Sequence, residues 1–340
     1  MHNPGGLDRW YAPRACAALA LAAAIALPAQ AQQFTMKIGM ATMGESQHQW
    51  GLWYKEALEA RSKGRIEVRV FPRNQLGTMA SQIEGLKLGT VEGFVSPADF
   101  FSGVDPRFGV FSIPVLFKNT DQATRVVLDP ALNKEILALG SDKGIEVVSI
   151  FPNAPAHYFG KQPLLSLADF NGKKLRINAT AAERAKMRLF GATGIPMDLG
   201  EVIPGLQQGT IDGTMSGNSV YVGFKFNDIG KVITRVNDTL IISIGTVSKA
   251  WLAKLPPDLR QMVIEEGHKL QQRCVEEARR VDETMAKKWV EAGGRFVDFS
   301  PADSATVKKL LAGVGEEVTR DNPGVHDFYR RVLAISQKYQ

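Results

Sequence analysis

Residues 172–178 have the sequence Gly172-Lys173-Lys174-Leu175-Arg176-Ile177-Asn178 and follow an Asn-Gly turn signal. Leu175 and Ile177 alternate with polar residues, which predicts a short strand with one apolar face and with Arg176 on the other. A guanidinium group is a rigid fork of five donors that suits a carboxylate bound by two hydrogen bonds. For an arbitrary strand, however, a solvated surface arginine is the commoner outcome. The rest of the chain has to decide between these two interpretations.

Strands and helices alternate on both sides of this segment, as in an α/β lobe. The pattern predicts strands at 157–161, near 195–197 and near 213–215, and helices at 181–190, 201–208 and 218–226. An apolar strand at 240–247 follows a turn at Asn237-Asp238-Thr239 and is predicted to return to the first lobe.

The first part of the chain alternates in the same way. Strands are predicted at 34–40, 66–70 and 92–96, with helices at 46–61 and 79–88 between them. This order implies parallel strands, and ligands of such sheets bind beyond the carboxyl ends of the strands. We therefore expect site residues within 42–50 and 96–101. A further strand at 145–151 is predicted to end at Pro152-Asn153-Ala154-Pro155, where the chain would cross between lobes.

The longest helical pattern runs from residue 256 to residue 292. At 1.5 Å per residue such a helix is about 50 Å long, so it must brace both lobes or project into solvent. The predicted organisation is lobe 1 at 32–152 with a return strand at 240–255, lobe 2 at 153–239, the interlobe helix at 256–292, and a C-terminal strand and helices at 293–340 that pack on the lobes.

The N-terminus has the pattern of an export signal. Arg9 and Arg14 precede an apolar run at 15–27, and Ala29-Gln30-Ala31 matches a cleavage site. The run is too short to span a bilayer. We predict a signal peptide at 1–31, cleavage near Ala31 and a periplasmic location. Only Cys274 remains beyond the leader, so an internal disulfide is excluded and the core must stabilise the fold.

Signatures of enzymes, metal sites and nucleic-acid binding are absent from the sequence. There is no G-x-S-x-G, H-E-x-x-H, C-x-x-C or Walker A motif, the histidines lack metal-ligand spacing, and the net charge of +6 is scattered. We expect no catalytic residue, no metal, no cofactor and no nucleic acid. A leader, two lobes and no catalytic set favour an exported solute-binding protein with an α/β, two-lobed, type II-like Venus flytrap fold and a long bracing helix.

The chain also resembles a specific family, the extracytoplasmic solute receptors of TRAP transporters of the DctP type. The resemblance covers nearly the whole chain after the leader and rests on residues 64–72 (GRIEVRVFP) with 74–77 (NQLG), 108–114 (FGVFSIP), 172–177 (GKKLRI), 191–192 with 196–197, 206–213 (LQQGTIDG) and 225–229 (KFNDI). It implies that Arg176 is the carboxylate-binding arginine. It also implies that the protein delivers a small organic acid to the small and large membrane subunits of a TRAP permease.

Several positions differ from the family pattern. Ala156 stands where a second arginine is common, Met215 where some members have a glutamate near a metal, and Ser216 where an asparagine is frequent. We therefore expect a less polar cleft with one arginine anchor and a monocarboxylate ligand, since a second carboxylate would be buried without a partner. The expected ligand contacts are Gln47, Trp50, Ser96, Phe100, His157, Phe159, Arg176, Thr180, Leu199, Ser216, Asn218 and Tyr221.

The predicted mechanism is hinge closure of a monomer, followed by docking on the permease. We expect Arg176→Ala to abolish ligand binding and to leave the melting of the ligand-free protein nearly unchanged. A periplasmic sensor subunit would have the same fold, and an exported enzyme on this scaffold is the remaining alternative. The sequence leaves the identity of the acid open.

Overall fold

The computed structural model describes residues 33–178 and 180–340, so the predicted signal peptide lies outside the described residues. The strands are β1 Phe34–Gly39, β2 Ile66–Phe71, β3 Gly93–Pro97, β4 Ile145–Pro155, β5 His157–Gly160, β6 Lys174–Ile177, β7 Thr193–Pro196, β8 Gly213–Ser216, β9 Val232–Arg235, β10 Leu240–Ser248 and β11 Arg295–Asp298. None of the described helices combines the length and the apolar character that a membrane crossing requires.

The α-helices are α1 Ser46–Arg61, α2 Met79–Leu88, α3 Thr120–Val127, α4 Pro130–Leu137, α5 Ala181–Leu189, α6 Val202–Gln208, α7 Asn218–Gly223, α8 Lys249–Leu252, α9 Pro257–Glu291, α10 Pro301–Leu311, α11 Val314–Thr319 and α12 Pro323–Lys338. Short 3₁₀ helices follow β3 at Ala98–Gly103 and Pro106–Ser112.

Two sheets define the two lobes of this α/β fold. The five-stranded sheet of lobe 1 has the order β2-β1-β3-β10-β4, and the six-stranded sheet of lobe 2 has the order β11-β9-β5-β8-β6-β7. In lobe 1, β1 pairs in parallel with β2 and β3, as the sequence predicts, and β10 returns antiparallel between β3 and β4. In lobe 2, β6 lies in parallel between β7 and β8, which places Arg176 opposite Ile195 and Thr214.

The first crossing between the sheets differs from the sequence prediction. The strand does not end at residue 151: β4 continues to Pro155, and only Ala156 separates it from β5. The pairing with β10 shifts register between Ile241 and Ile242, so that Asn153 opposes no residue. β4 lies at the edge of its sheet, where a proline nitrogen can face away from the neighbouring strand, so its two prolines are tolerated.

The second crossing contains a strand that the sequence analysis missed. The helix predicted at 218–226 ends at Gly223, and β9 then pairs with both β5 and β11 before the chain reaches β10. The backbone N–H of Ala156 donates to the carbonyl of Thr239 at 3.0 Å, which links the two crossings to each other.

The long helix α9 contacts both lobes. It packs against α1 and β4 of lobe 1 and against α7 of lobe 2. Gly267 makes the close approach to β4 possible, because a Cβ atom there would lie 2.5 Å from the Cβ of Val148. Cys274 is fully buried in this interface. The helix therefore spans the two sheets rather than projecting into solvent.

A buried ion pair connects lobe 2 to the second crossing. Lys186 Nζ of α5 lies 3.0 Å from Asp238 Oδ2, and both side chains are completely shielded from solvent. Lys186 also donates to Thr239 Oγ1 at 2.9 Å, and the hydroxyl of Tyr158 donates to Asp238 at 3.0 Å. A paired, hydrogen-bonded charge is tolerated in a core, whereas a single remaining charge is not.

We predict that Lys186→Met lowers the free energy of unfolding by roughly 3–5 kcal/mol, because it leaves the Asp238 carboxylate buried without its cation. Urea denaturation measures this effect. The control is Arg188→Met on the same helix, which breaks an exposed pair with Glu317 and should cost less than about 1 kcal/mol. Equal losses in the two variants would contradict the prediction.

Candidate functional site

A cavity lies between the two lobes, at the carboxyl ends of strands from both sheets. The empty space between the surrounding atoms is about 790 Å³, counted with its mouth to solvent. Lobe 1 and the two crossings contribute Ala41, Thr42, Glu45, Gln47, Met79, Pro97, Asp99, Phe100, Phe111, Ser112, Asn153, Ala156, Thr239, Leu240, Ile241 and Ile242 to its wall; lobe 2 contributes Arg176, Asn178, Glu183, Leu199, Met215, Ser216, Gly217, Ser219 and Val220.

Arg176 is the single Lys or Arg side chain in the described part of this wall. Its exposed fraction is 4%, and its Nε donates to the carbonyl of Met197 at 2.9 Å, which fixes the plane of the guanidinium. Among the described residues, no carboxylate pairs with it and no group accepts from its Nη atoms. Burial lowers the pKa of Arg176, and the negative charges of Glu183 and Asp99 oppose that effect. The group is therefore a buried cation with free donors.

Three carboxyl groups share the wall with Arg176. Glu45 precedes α1 and accepts from the backbone N–H of Gln47 at 3.1 Å and from the Thr42 hydroxyl. Glu183 belongs to a capping box at the start of α5, where its Oε2 accepts from the backbone N–H groups of Asn178 and Thr180 at 3.1 and 3.3 Å. Both carboxylates thus have partners within the protein.

The third carboxyl, Asp99, lies in the first turn of the 3₁₀ helix after β3. Its Oδ2 accepts from Asn178 Nδ2 at 3.1 Å, a hydrogen bond that joins lobe 1 to lobe 2. Burial and the neighbouring Glu183 charge raise the pKa of Asp99 to about 7. Its other oxygen, Oδ1, is buried and has no hydrogen-bond partner among the described residues.

Further hydrogen bonds across the cleft give this structure its closed arrangement. Asp198 of lobe 2 accepts from Asn74 Nδ2 at 3.0 Å and from the backbone N–H of Met79 at 3.3 Å, both in lobe 1. The Ser112 hydroxyl donates to Thr180 Oγ1 at 2.9 Å. These contacts would break if the lobes separated.

Five of the twelve residues predicted to contact a ligand line the cavity: Gln47, Phe100, Arg176, Leu199 and Ser216. Gln47 is held by a hydrogen bond from its Nε2 to Ser243 Oγ at 2.9 Å. Ser216 ends β8, which pairs with β6, the strand that carries Arg176. The cavity wall is therefore built from the strand ends at which the sequence placed the site.

The other predicted aromatic residues lie in the core and not on the wall. Trp50 is fully buried, its Nε1 donates to Ser149 Oγ at 2.9 Å, and its ring covers Gly245. The ring centroid of Phe159 lies 5.8 Å from that of Tyr221, and the Tyr221 hydroxyl donates to the carbonyl of His157 at 2.6 Å. The contacts expected of Trp50, Phe159 and Tyr221 are thus with the protein.

The four remaining polar residues are also off the wall. Ser96 donates to the neighbouring Pro97 carbonyl, and Thr180 caps α5. Asn218 donates to Asp282 of α9 at 2.9 Å. His157 packs its ring against Phe296, and burial with the nearby Arg235 charge lowers its pKa to about 4. Local structure explains the positions of Ser96, Thr180 and Asn218, and His157 is a neutral core residue.

The sequence analysis missed the acidic part of the site. Glu45, Asp99, Asn178 and Glu183 line the cavity among a larger number of apolar residues, and none of these four was among the predicted contacts. A signal was available for Glu183, since Thr180 followed three residues later by Glu183 is a capping box directly after the Arg176 strand. Asp99 falls within the segment 96–101 predicted for the site, although the predicted contacts in that segment were Ser96 and Phe100.

We predict that Asp99→Asn changes how stability depends on pH. Between the ordinary aspartate pKa of 3.8 and the raised value of about 7, the folded protein binds a proton that the unfolded chain has lost. Stability therefore falls as pH rises through this window, and the variant lacks this decline. The free energy of unfolding of the variant relative to the native protein should rise by roughly 1 kcal/mol per pH unit between pH 5 and pH 7.

Urea denaturation at each pH measures the difference. The control is Asp121→Asn, which removes a surface carboxylate that pairs with Arg279 and is 68% exposed. A difference between native protein and Asp99→Asn that does not change with pH would contradict the prediction.

Comparisons with known proteins agree with this architecture. The family model for bacterial extracellular solute-binding proteins, family 7 (DctP), matches residues 39–321. A solute-binding protein of Verminephrobacter eiseniae is 30% identical over 252 residues, which are 73% of this chain and 75% of that protein.

Two solved structures share the fold. The sugar acid binding protein DctPAm of Advenella mimigardefordensis, in complex with galactonate, has a TM-score of 0.85 at 22% identity and covers 91% of this chain and 99% of that one. A TRAP periplasmic solute binding protein of Shewanella oneidensis, with bound succinate, has a TM-score of 0.83 at 24% identity and covers 89% and 99%. With a cavity between two lobes and a family match over residues 39–321, the chain belongs to the bacterial extracellular solute-binding proteins of family 7, the DctP family.

Proposed function

We propose that this protein is the periplasmic receptor of a TRAP-type transporter, and that it binds a small organic acid on Arg176 between its lobes. The observation that supports this most directly is the state of Arg176: a cation with 4% exposure, oriented through Nε, whose Nη donors face a cavity. A carboxylate can accept two parallel hydrogen bonds from such a group. The succinate and galactonate of the two similar structures are both carboxylates.

The ligand has one carboxylate in this proposal. Arg176 is the only cationic side chain that the described wall offers, and Glu45, Asp99 and Glu183 already add negative charge to the same cavity. A second carboxylate would be buried near like charges with no cation to pair with it, which is costly. One similar structure contains a dicarboxylate and another a sugar acid, so the preference for a single carboxylate is inferred from the residues that line the cavity of this chain.

Binding proceeds by closure of the lobes around the acid. Ligand favours the closed form only through contacts that the open form lacks, and the contacts of Asp198 with Asn74 and Met79 across the mouth are of that kind. The closed receptor then docks on the small and large membrane subunits. We further propose that residues 1–31 are removed on export and that the receptor acts as a monomer.

We predict that Arg176→Gln weakens binding of the cognate acid by at least about 100-fold, because two charge-assisted hydrogen bonds are lost. A thermal-shift screen of small organic acids, or mass spectrometry of co-purified ligand, identifies the ligand. Isothermal titration calorimetry then measures the loss of affinity. Arg188→Gln, an exposed arginine of the same lobe, is the matched control. Binding within threefold of the native protein in Arg176→Gln would refute the anchor.

The expectation that a variant of Arg176 melts like the native protein needs revision. Arg176 lies near Glu183 and Asp99, and its charge stabilises both buried carboxylates. Removing the cation leaves those charges uncompensated, so the ligand-free Arg176→Ala protein should be less stable than native. Binding data on Arg176 variants therefore need a temperature well below their midpoint of unfolding.

We predict that Asp198→Ser weakens ligand binding by about 5–50-fold, mainly through faster dissociation, because the closed form loses its contacts across the mouth. Serine still caps the following turn but is too short to reach Asn74. Stopped-flow fluorescence separates the two rate constants. Glu201→Ala, which disturbs the same capping box without a contact to lobe 1, should leave dissociation nearly unchanged.

A further inference from the structure

Two buried oxygen atoms of the cavity wall lack hydrogen-bond donors. Asp99 Oδ1 and Asn178 Oδ1 each have less than 1 Å² of exposed surface, and neither has a partner among residues 33–178 and 180–340. Their side chains are held together, because Asn178 Nδ2 donates to Asp99 Oδ2 at 3.1 Å. One oxygen thus comes from lobe 1 and the other from lobe 2, and both residues line the same cavity.

The other acidic groups of the wall do not share this property. The carboxylates of Glu45 and Glu183 accept hydrogen bonds from the backbone and from neighbouring hydroxyls. Buried acceptors in folded proteins almost always have a donor, and for these two residues of the cavity wall a ligand or a water bound with it can supply one. Arg176 lies near enough to Asp99 for its charge to act on that carboxyl, so a ligand whose carboxylate binds Arg176 would also come close to Asp99.

We propose that the cognate acid carries, besides its carboxylate, one or more hydroxyl or amino groups that donate to Asp99 Oδ1 and Asn178 Oδ1, and that Asp99 is the residue that selects for these groups. This inference rests on the proposed binding of a carboxylate by Arg176. The ligand is then recognised at two points: its carboxylate binds Arg176, and its hydroxyl or amino group binds the Asp99–Asn178 pair. An acid without a donor leaves both oxygens unpaired when the lobes close, so it binds more weakly.

The pair also works against a second carboxylate at this position. A carboxylate is an acceptor, and it would face the two acceptor oxygens and the negative charge of Glu183. A hydroxyl or amino group at the same place supplies the missing donor. Selection for a donor and rejection of a dicarboxylate are therefore two effects of one arrangement.

Matched sets of acids test the proposal by isothermal titration calorimetry on the full mature chain. The first set is butyrate, 3-hydroxybutyrate, 3-aminobutyrate and succinate, and the second is hexanoate with gluconate. In the set that fits the cavity, the hydroxyl or amino acid should bind at least tenfold more tightly than its parent acid. Equal or tighter binding of butyrate, hexanoate or succinate overturns the proposal.

Asp99→Ala supplies the second measurement. In this variant the ratio of affinities between the donor-bearing acid and its parent should fall to within about threefold, whereas Asp121→Ala should keep the native ratio. Asp99→Asn distinguishes the two donors, since an amide oxygen still accepts from a hydroxyl but no longer pairs with an ammonium charge. An unchanged ratio in Asp99→Ala would show that another residue selects the ligand.

The outcomes separate this inference from the proposed function. One outcome is that all acids bind equally well, with or without a donor group, and that Arg176→Gln abolishes this binding. It would overturn the selection by Asp99 but leave the proposed carboxylate receptor unaffected. Binding that is unaffected by Arg176→Gln removes the anchor and the inference together. No binding of any acid in either set counts against both.

Discussion

The charge of Arg176 must be kept in the interior of the protein, and much of the cavity is arranged around that requirement. A guanidinium with 4% exposure loses most of its hydration, and its Nε bond to the Met197 carbonyl replaces only part of it. Glu183 and Asp99 offset the remainder from nearby without forming a direct ion pair. The donors of Arg176 therefore stay available for a ligand, which a direct ion pair would have prevented.

This balance involves both lobes. Glu183 is fixed in lobe 2 by the cap of α5, directly after the strand that holds Arg176, whereas Asp99 follows β3 in lobe 1. Separation of the lobes would move Asp99 away from Asn178 and expose it to water, where its carboxyl would ionise more easily. If the lobes close as proposed, the charge of the site would be coupled to closure, since closing would bring Asp99 next to the arginine.

A second buried charge lies behind the wall. The pair of Lys186 and Asp238 is completely buried, and Lys186 also contacts Thr239 and Met215, which both line the cavity. Asp238 and Thr239 belong to the crossing between β9 and β10. The helix α5 therefore fixes two parts of the cavity wall. Its first turn holds Glu183, and one turn later Lys186 holds the segment of Asp238 and Thr239 that connects the lobes.

The fold could be predicted from the sequence where one face of an element is exposed. Strand β2, in which buried and more exposed positions alternate at first, and the long helix α9 have recognisable periods, and the structure contains both. Prediction failed where periodicity holds no information. β5 is buried at all four positions, so alternation could not show that Phe159 points into the core. β9 has only four residues, which is too few for a recognisable strand pattern. Pro152 and Pro155 are tolerated because β4 lies at the edge of its sheet, and that position depends on strands far away in the chain.

The acids were missed for a related reason. Asp99 and Asn178 are 79 residues apart, and their free oxygens acquire a meaning only once two sheets bring the ends of β3 and β6 together. A carboxyl whose hydrogen-bond partner lies in the other lobe, as that of Asp99 lies in Asn178, has no local sequence signature.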